Sequence, residues 1–172
     1  MTHVFLEREY LPLVVGCIRE AKESILVCTY EWGWYEGQRT GTIQDVNRCL
    51  CQAAQRGVLV QALMHNEAPG RPLGKINRKS AGRLRRNGVE VKLGGTSKII
   101  HAKFWVFDEK VGVVCTHNVS GRAVSSNAEV GVYLDVARDA WTLRDYFWGL
   151  WGAVPAAATK LGEYDPRLPD VD

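Results

Sequence analysis

The sequence is short of several things. No stretch approaches the roughly 18 consecutive apolar residues that a membrane-spanning helix needs. The opening residues, MTHVFLEREY, lack the basic segment and apolar run of a secretory leader. Both absences lead us to expect a cytoplasmic protein that docks on no membrane. The five cysteines (Cys17, Cys28, Cys49, Cys51 and Cys115) are odd in number and scattered through apolar segments, which argues for reduced thiols rather than a disulfide framework. Cys49 and Cys51 have no second pair nearby, so their spacing is a weak zinc signal, and no metal or other cofactor is expected. There is no G-x-G-x-x-G fingerprint and no internal repeat. Residues 70–76 fall one position short of a phosphate-binding loop and lack the Ser or Thr after the Lys. Asn118-Val119-Ser120 is a glycosylation sequon with no meaning inside the cell.

What is present suits one globular domain. The 172 residues are 46% apolar and 24% charged, enough for a core without covalent staples. We expect that domain over residues 1–160, with a Pro-rich acidic tail at 161–172. The net charge of +3 identifies no partner by itself. Patterning predicts helices over Tyr10–Glu23, from Thr42 as N-cap to about Arg56, from about Lys75 to Asn87, and from Ala137 to about Trp151. Strands are predicted at Ser24–Tyr30, Val58–Met64, Val89–Leu93, Ile99–Phe107, Val111–Thr116 and Glu129–Asp135. Helices alternate with strands in the first half and strands cluster in the second, which predicts an α/β sandwich with a mixed central sheet.

Chemistry concentrates in His101-Ala102-Lys103-Phe104-Trp105-Val106-Phe107-Asp108. On a strand His101 and Lys103 share a face, setting a nucleophile or proton carrier beside a fixed positive charge, while Asp108 turns to the other face and is better suited to pinning the turn before Val111. Thr116, His117 and Asn118 leave the next strand at the same sheet end, and Asn127 and Glu129 open the one after. From Arg71 to Lys92 the chain carries Arg71, Lys75, Arg78, Lys79, Arg83, Arg85, Arg86 and Lys92 against the single acid Glu90. That cluster is either a solvated helix face or a grip on a phosphate backbone. Trp32, Trp34 and Tyr35 follow the first strand, where they would stack on unpaired bases, pack an interface or cover the core. Trp141, Phe147, Trp148 and Trp151 on the closing helix read as core or dimer contact.

The spacing of His101, Lys103, Asp108, Thr116 and Asn118, followed by Glu129, resembles the phospholipase D superfamily, and the order of elements is similar to that of its compact single-motif nucleases. Those members have Gly-Ser where this chain has Cys115-Thr116; Thr keeps the hydroxyl. The resemblance implies a phospholipase D-like α/β/α fold and a catalytic set of His101, Lys103, Asn118, Glu129, Asp108 and Thr116. His101 would attack phosphorus to give a phosphohistidine, and a second imidazole would protonate the leaving oxygen and then activate water. Lys103 and Asn118 would stabilise charge on the non-bridging oxygens, and Glu129 would set the tautomer of His101. His3, His65 and His117 lack a Lys two residues on, so the second pair implies a homodimer, with His117 as the internal rival. The implied substrate is DNA or RNA, bound through Lys75, Arg78, Lys79, Arg83, Arg86, Trp32 and Trp34. A phospholipase or phosphatidyl transferase, a non-catalytic nucleic-acid-binding module, and a cleavage subunit steered by a separate recognition protein are the alternatives.

Overall fold

The computed structural model describes residues 2–37, 41–68, 70–95 and 98–155. The expected tail at 161–172 and the domain boundary at 160 lie outside the described residues. Seven strands form one sheet: β1 (Thr2–Leu6), β2 (Ser24–Thr29), β3 (Leu59–His65), β4 (Glu90–Gly94), β5 (Phe104–Phe107), β6 (Val111–Cys115) and β7 (Val130–Leu134), in the order β1-β7-β6-β5-β2-β3-β4. The β2–β3 and β3–β4 pairs are parallel, and every other pair is antiparallel. The expected mixed sheet is therefore present.

Five α-helices and one 3-10 turn (Glu7–Glu9) complete the described chain: α1 (Tyr10–Glu20), α2 (Gln44–Gln55), α3 (Pro72–Arg86), the short α4 (Gly121–Ser125) and α5 (Ala137–Ala153). Side-chain alternation divides the core between the two sheet faces. Ile25, Val27, Trp105 and Phe107 face the larger layer, built with Val14 and Ile18 of α1, Val46 and Leu50 of α2, and Ala81 and Leu84 of α3. Leu26, Cys28, Phe104 and Val106 face the smaller one, built with Ala140 and Phe147 of α5. The second face thus rests mainly on one helix.

Differences from the sequence reading have local causes. Pro72 supplies a ready-made φ for the first turn, so α3 starts three residues before Lys75. Thr42 caps more weakly than expected: its Oγ1 accepts the Gln44 N–H at 3.3 Å, and Ile43 occupies the N-cap position. Strand β5 begins only at Phe104, leaving residues 99–103 without regular structure. Strand β1 was not anticipated. It is an edge strand whose side chains other than Phe5 are exposed, so it carries little hydrophobic signal.

Asp108 is the clearest positional anchor. It sits beyond the C-terminal end of β5 in the left-handed region (φ +50°), and its carboxylate accepts the backbone N–H groups of Lys22, Glu23 and Ser24 at 2.7–3.1 Å. Burial opposes ionisation there, but these bonds win and hold its carboxyl below the ordinary value. A depressed carboxyl pKa stabilises the fold at pH above the unfolded-state value of roughly 3.9, and that contribution is lost as pH falls through the lower native value. We predict that Asp108→Asn lowers stability by about 1–3 kcal/mol at neutral pH, read from the urea midpoint, and that the gap from wild type closes in strong acid. A gap independent of pH would contradict this assignment.

Candidate active site

The site forms along one edge of the sheet, where α/β folds commonly bind ligands outside the carboxyl ends of parallel strands. Strands β2, β3 and β4 end there in Thr29, His65 and Gly94. Because β5 runs antiparallel to β2, with Phe104 opposite Cys28, the segment that carries His101 and Lys103 arrives at the same edge. Residues 116–118, after β6, and Glu129, before β7, complete it.

The expectation that His101 and Lys103 are aligned by a strand is corrected: both precede β5. Backbone pairing continues past it, since Cys115 N–H donates to the Lys103 carbonyl at 3.0 Å. The Lys103 ammonium donates to the His101 carbonyl at 2.7 Å and lies 3.2 Å from each imidazole nitrogen. A group equidistant from both nitrogens stands over the ring face. The ring edge of the exposed imidazole is not covered by the ammonium. Burial of the Lys103 stem lowers its pKa from the usual lysine value, partly opposed by Glu129.

Beyond β6 the exposure alternates: Thr116 is exposed, His117 buried and Asn118 half-buried. Asn118 accepts the Glu31 N–H on Oδ1 at 3.3 Å. Thr116 Oγ1 accepts the Val130 N–H at 3.0 Å and donates to Glu129 Oε2. Asn127 Nδ2 donates to the other carboxylate oxygen at 3.0 Å. The expected contact between Glu129 and His101 is therefore replaced. The β6–β7 register brings the Thr116 hydroxyl against that carboxylate, and among the described residues the His101 ring has the Lys103 ammonium over its face instead.

Four further expectations need correction or refinement. Asp108 lies at the opposite end of β5 and holds backbone amides, so it takes no part at this edge. His117 is 1% exposed, stacked on Tyr10 at 4.3 Å, with Nε2 against the Glu7 carbonyl at 3.1 Å. Strand parity turns it into the core, so it is no rival for the second imidazole. Burial also lowers its pKa. Trp32 is fully buried, with its N–H bonded to Asn77 Oδ1 and its indole Nε1 to Asn47 Oδ1, both at 2.8 Å. It cannot stack on a base. Trp34 is partly buried against the same core.

The basic cluster is partly structural. Arg78 bonds Asn66 Oδ1 and the Glu67 carbonyl, Arg85 the Val91 carbonyl, and Lys92 the Trp151 and Val154 carbonyls. Arg83 pairs with Glu36. Lys75 and Lys79, four residues apart, share a face of the first half of α3, near the site edge. Arg86 lies in its last turn, about 16 Å along the axis from Lys75.

Tyr30, His65 and Asn77 also belong to this edge, though no sequence motif marks them. Tyr30 and His65 stack at this edge, with ring centroids 5.0 Å apart, and His101 lies 5.0 Å from Tyr30. Their place at or next to the ends of parallel strands was the available signal. A groove of about 450 Å³ opens beside the pair, lined by His101, Lys103, Phe104, Thr116, Leu143 and Tyr146 among others. Among the described residues no three His, Cys, Asp or Glu side chains converge as metal ligands, and no helix is long and apolar enough to cross a membrane.

Comparison with known proteins agrees with this fold. Residues 14–151 match the family model described as cardiolipin synthase, PLD-like domain. The phospholipase D family member Nuc from Salmonella typhimurium superposes with a TM-score of 0.75 at 18% identity, covering 90% of this chain and 96% of its own. NucT from Helicobacter pylori gives 0.74 at 21% identity, covering 90% and 97%. Phosphatidylserine synthase from Haemophilus influenzae gives 0.66 at 12% identity, covering 89% of this chain but 38% of its own. No curated protein matches the chain in sequence.

The buried thiols give a direct check on the packing of this region. Burial pushes Cys28 and Cys115 up to about 12, and no disulfide involves them. We predict that neither reacts with Ellman's reagent at pH 8 in native protein, and that both react once urea unfolds it. Fast native reaction at Cys115, which flanks Thr116, would contradict the packing described.

Proposed function

The chain belongs to the phospholipase D-like domain family, and with phosphodiester chemistry thereby given we propose that it is a nuclease that needs no metal ion and completes its site as a homodimer. The observation that carries this reading is the exposed His101 imidazole with the Lys103 ammonium over its face, at the end of the sheet where Thr116 and Asn118 follow β6. In the proposed reaction the unprotonated His101 nitrogen attacks phosphorus. The P–N bond forms as the P–O bond to the leaving group breaks, and the leaving oxygen takes a proton from the second imidazole. That imidazole then deprotonates water, which attacks the phosphohistidine and frees His101. Lys103 and Asn118 Nδ2 face the non-bridging oxygens, where charge develops. Glu129, held by Thr116 and Asn127, supplies negative potential near Lys103.

The likeness to Nuc and NucT supports nucleic acid over lipid. Lys75 and Lys79 offer a basic face for the phosphate backbone near the site edge. The dimer reading rests on the one His-Lys pair per chain and on α5. Trp141 and Trp148, seven residues apart on one stripe, are 49% and 40% exposed. Val114 and Tyr146, beside the groove, are also exposed. Aromatic side chains of this kind are common anchors of protein interfaces. A second reading, phosphatidyl transfer, is favoured by the cardiolipin synthase family model and by the apolar Phe104 and Leu143 in the groove.

Incubation with single- and double-stranded DNA and RNA in excess EDTA tests the proposal. We expect wild type to cleave at least one of the four and His101→Asn to lose at least 1,000-fold, on the order of removing a catalytic nucleophile. Absence of cleavage, with turnover of phosphatidylglycerol vesicles, would replace the nuclease reading by the lipid one. Sedimentation provides a separate check on assembly: wild type is expected to be a dimer, and Trp148→Glu to dissociate it and lower turnover more than 10-fold. An active monomer would contradict the shared site.

A further inference from the structure

His101 is exposed, and no carboxylate among the described residues holds its ring. A nucleophile must nonetheless be presented in one orientation, because a displacement of about 1 Å can cost on the order of 100-fold in rate. The aromatic neighbours supply such a support. The Tyr30 ring centroid lies 5.0 Å from that of His101, tilted by 55°, and the Lys103 ammonium lies 5.6 Å from the same centroid. One ring therefore touches both members of the pair.

Tyr30 is itself backed by a second ring. His65 stacks on it nearly parallel, at 5.0 Å and 16°, and is 6% exposed. Gly95 closes over His65: a Cβ there would fall 2.3 Å from Nδ1, and the backbone has φ +109°, so no larger residue fits. The strand ends that bear these two rings are tied by one fully buried side chain from α3. Asn77 Nδ2 donates to the Tyr30 carbonyl at 2.8 Å and to the His65 carbonyl at 2.7 Å, while Oδ1 accepts the Trp32 N–H at 2.8 Å. Every polar atom of that amide is used on the backbone behind the site. Burial lowers the His65 pKa, which favours the neutral form of the stacked ring beside Lys103.

We propose that Tyr30, stacked on His65 and fixed by Asn77, is a positioning residue that holds the His101 imidazole and the Lys103 ammonium in their reactive arrangement. What Tyr30 contributes is its ring face, to a cation by the quadrupole and to the imidazole by edge contact. This inference rests on the phosphodiesterase reading for its kinetic consequence, though not for its geometry.

The test has two arms. In the first, bis(p-nitrophenyl) phosphate hydrolysis is measured for wild type, Tyr30→Phe and Tyr30→Leu, with urea midpoints recorded for each. We expect Tyr30→Phe to keep kcat within about 3-fold, and folded Tyr30→Leu to lose about 10- to 100-fold in kcat with KM changed less than 3-fold. The second arm uses no substrate. In wild type, nuclear Overhauser contacts should join the Tyr30 ring to the His101 ring and to the Lys103 Hε protons. The His101 ring signals should be retained in Tyr30→Phe and displaced in Tyr30→Leu. A folded Tyr30→Leu with wild-type kcat, or a wild type lacking those contacts, overturns the proposal. If wild type hydrolyses no phosphodiester at all, the catalytic reading fails and the magnetic-resonance arm alone decides the positioning one.

Discussion

The seam between β2 and β5 is the constraint on which the site depends. On one side of β2 the sheet is parallel; on the other it is antiparallel. This change of direction brings the start of β5 to the edge where β2, β3 and β4 end. Register along the seam is fixed at the far end by the Asp108 carboxylate, which grips the three amides leading into β2. Sliding this short pair by one residue would exchange Phe104 and Val106 with Trp105 and Phe107 across the two cores. The acid of the His-Lys-Asp signature thus acts at a distance, by locking the strand that presents the other two.

At the near end β2 is held on its other side by Asn77, whose amide ties the ends of β2 and β3 to α3. Polar groups buried this deeply are tolerated only when satisfied, and Asn77 is. The polar anchors at the two ends leave the apolar layers to supply most of the stability. The layers are unequal: three helices cover one face, while α5 covers the other and leaves Trp141 and Trp148 in contact with water. In the proposed dimer that shortfall becomes the association surface.

Much of this was legible in the sequence because period and spacing carry it. The continuous apolar runs SILVCT and FWVF, inside the predicted strands Ser24–Tyr30 and Ile99–Phe107, mark strands buried on both faces, and the resemblance of His101, Lys103, Thr116 and Asn118 points to one edge. What was misread shares a cause: the sequence gives residue type but not solvent access. Trp32 looks like a stacking platform until Asn47 and Asn77 are seen to bury it. His117 looks like a rim histidine until parity sends it onto Tyr10. The Arg-rich run looks like one phosphate grip, yet Arg78, Arg85 and Lys92 bond main-chain carbonyls. Glu129 was expected on His101, but register gave it to Thr116. Tyr30 carries no motif and His65 lacks a Lys two residues on, and the placement of both depends on a stack between neighbouring strands.

The central claim is that His101 becomes covalently phosphorylated during turnover. The most direct measurement is to quench a reaction in alkali, using a substrate radiolabelled at the scissile phosphate, and to map the label by peptide mass spectrometry. The account predicts a base-stable, acid-labile adduct on the peptide containing His101, absent from His101→Asn. Turnover with no trapped adduct, or an adduct on another residue, would contradict it.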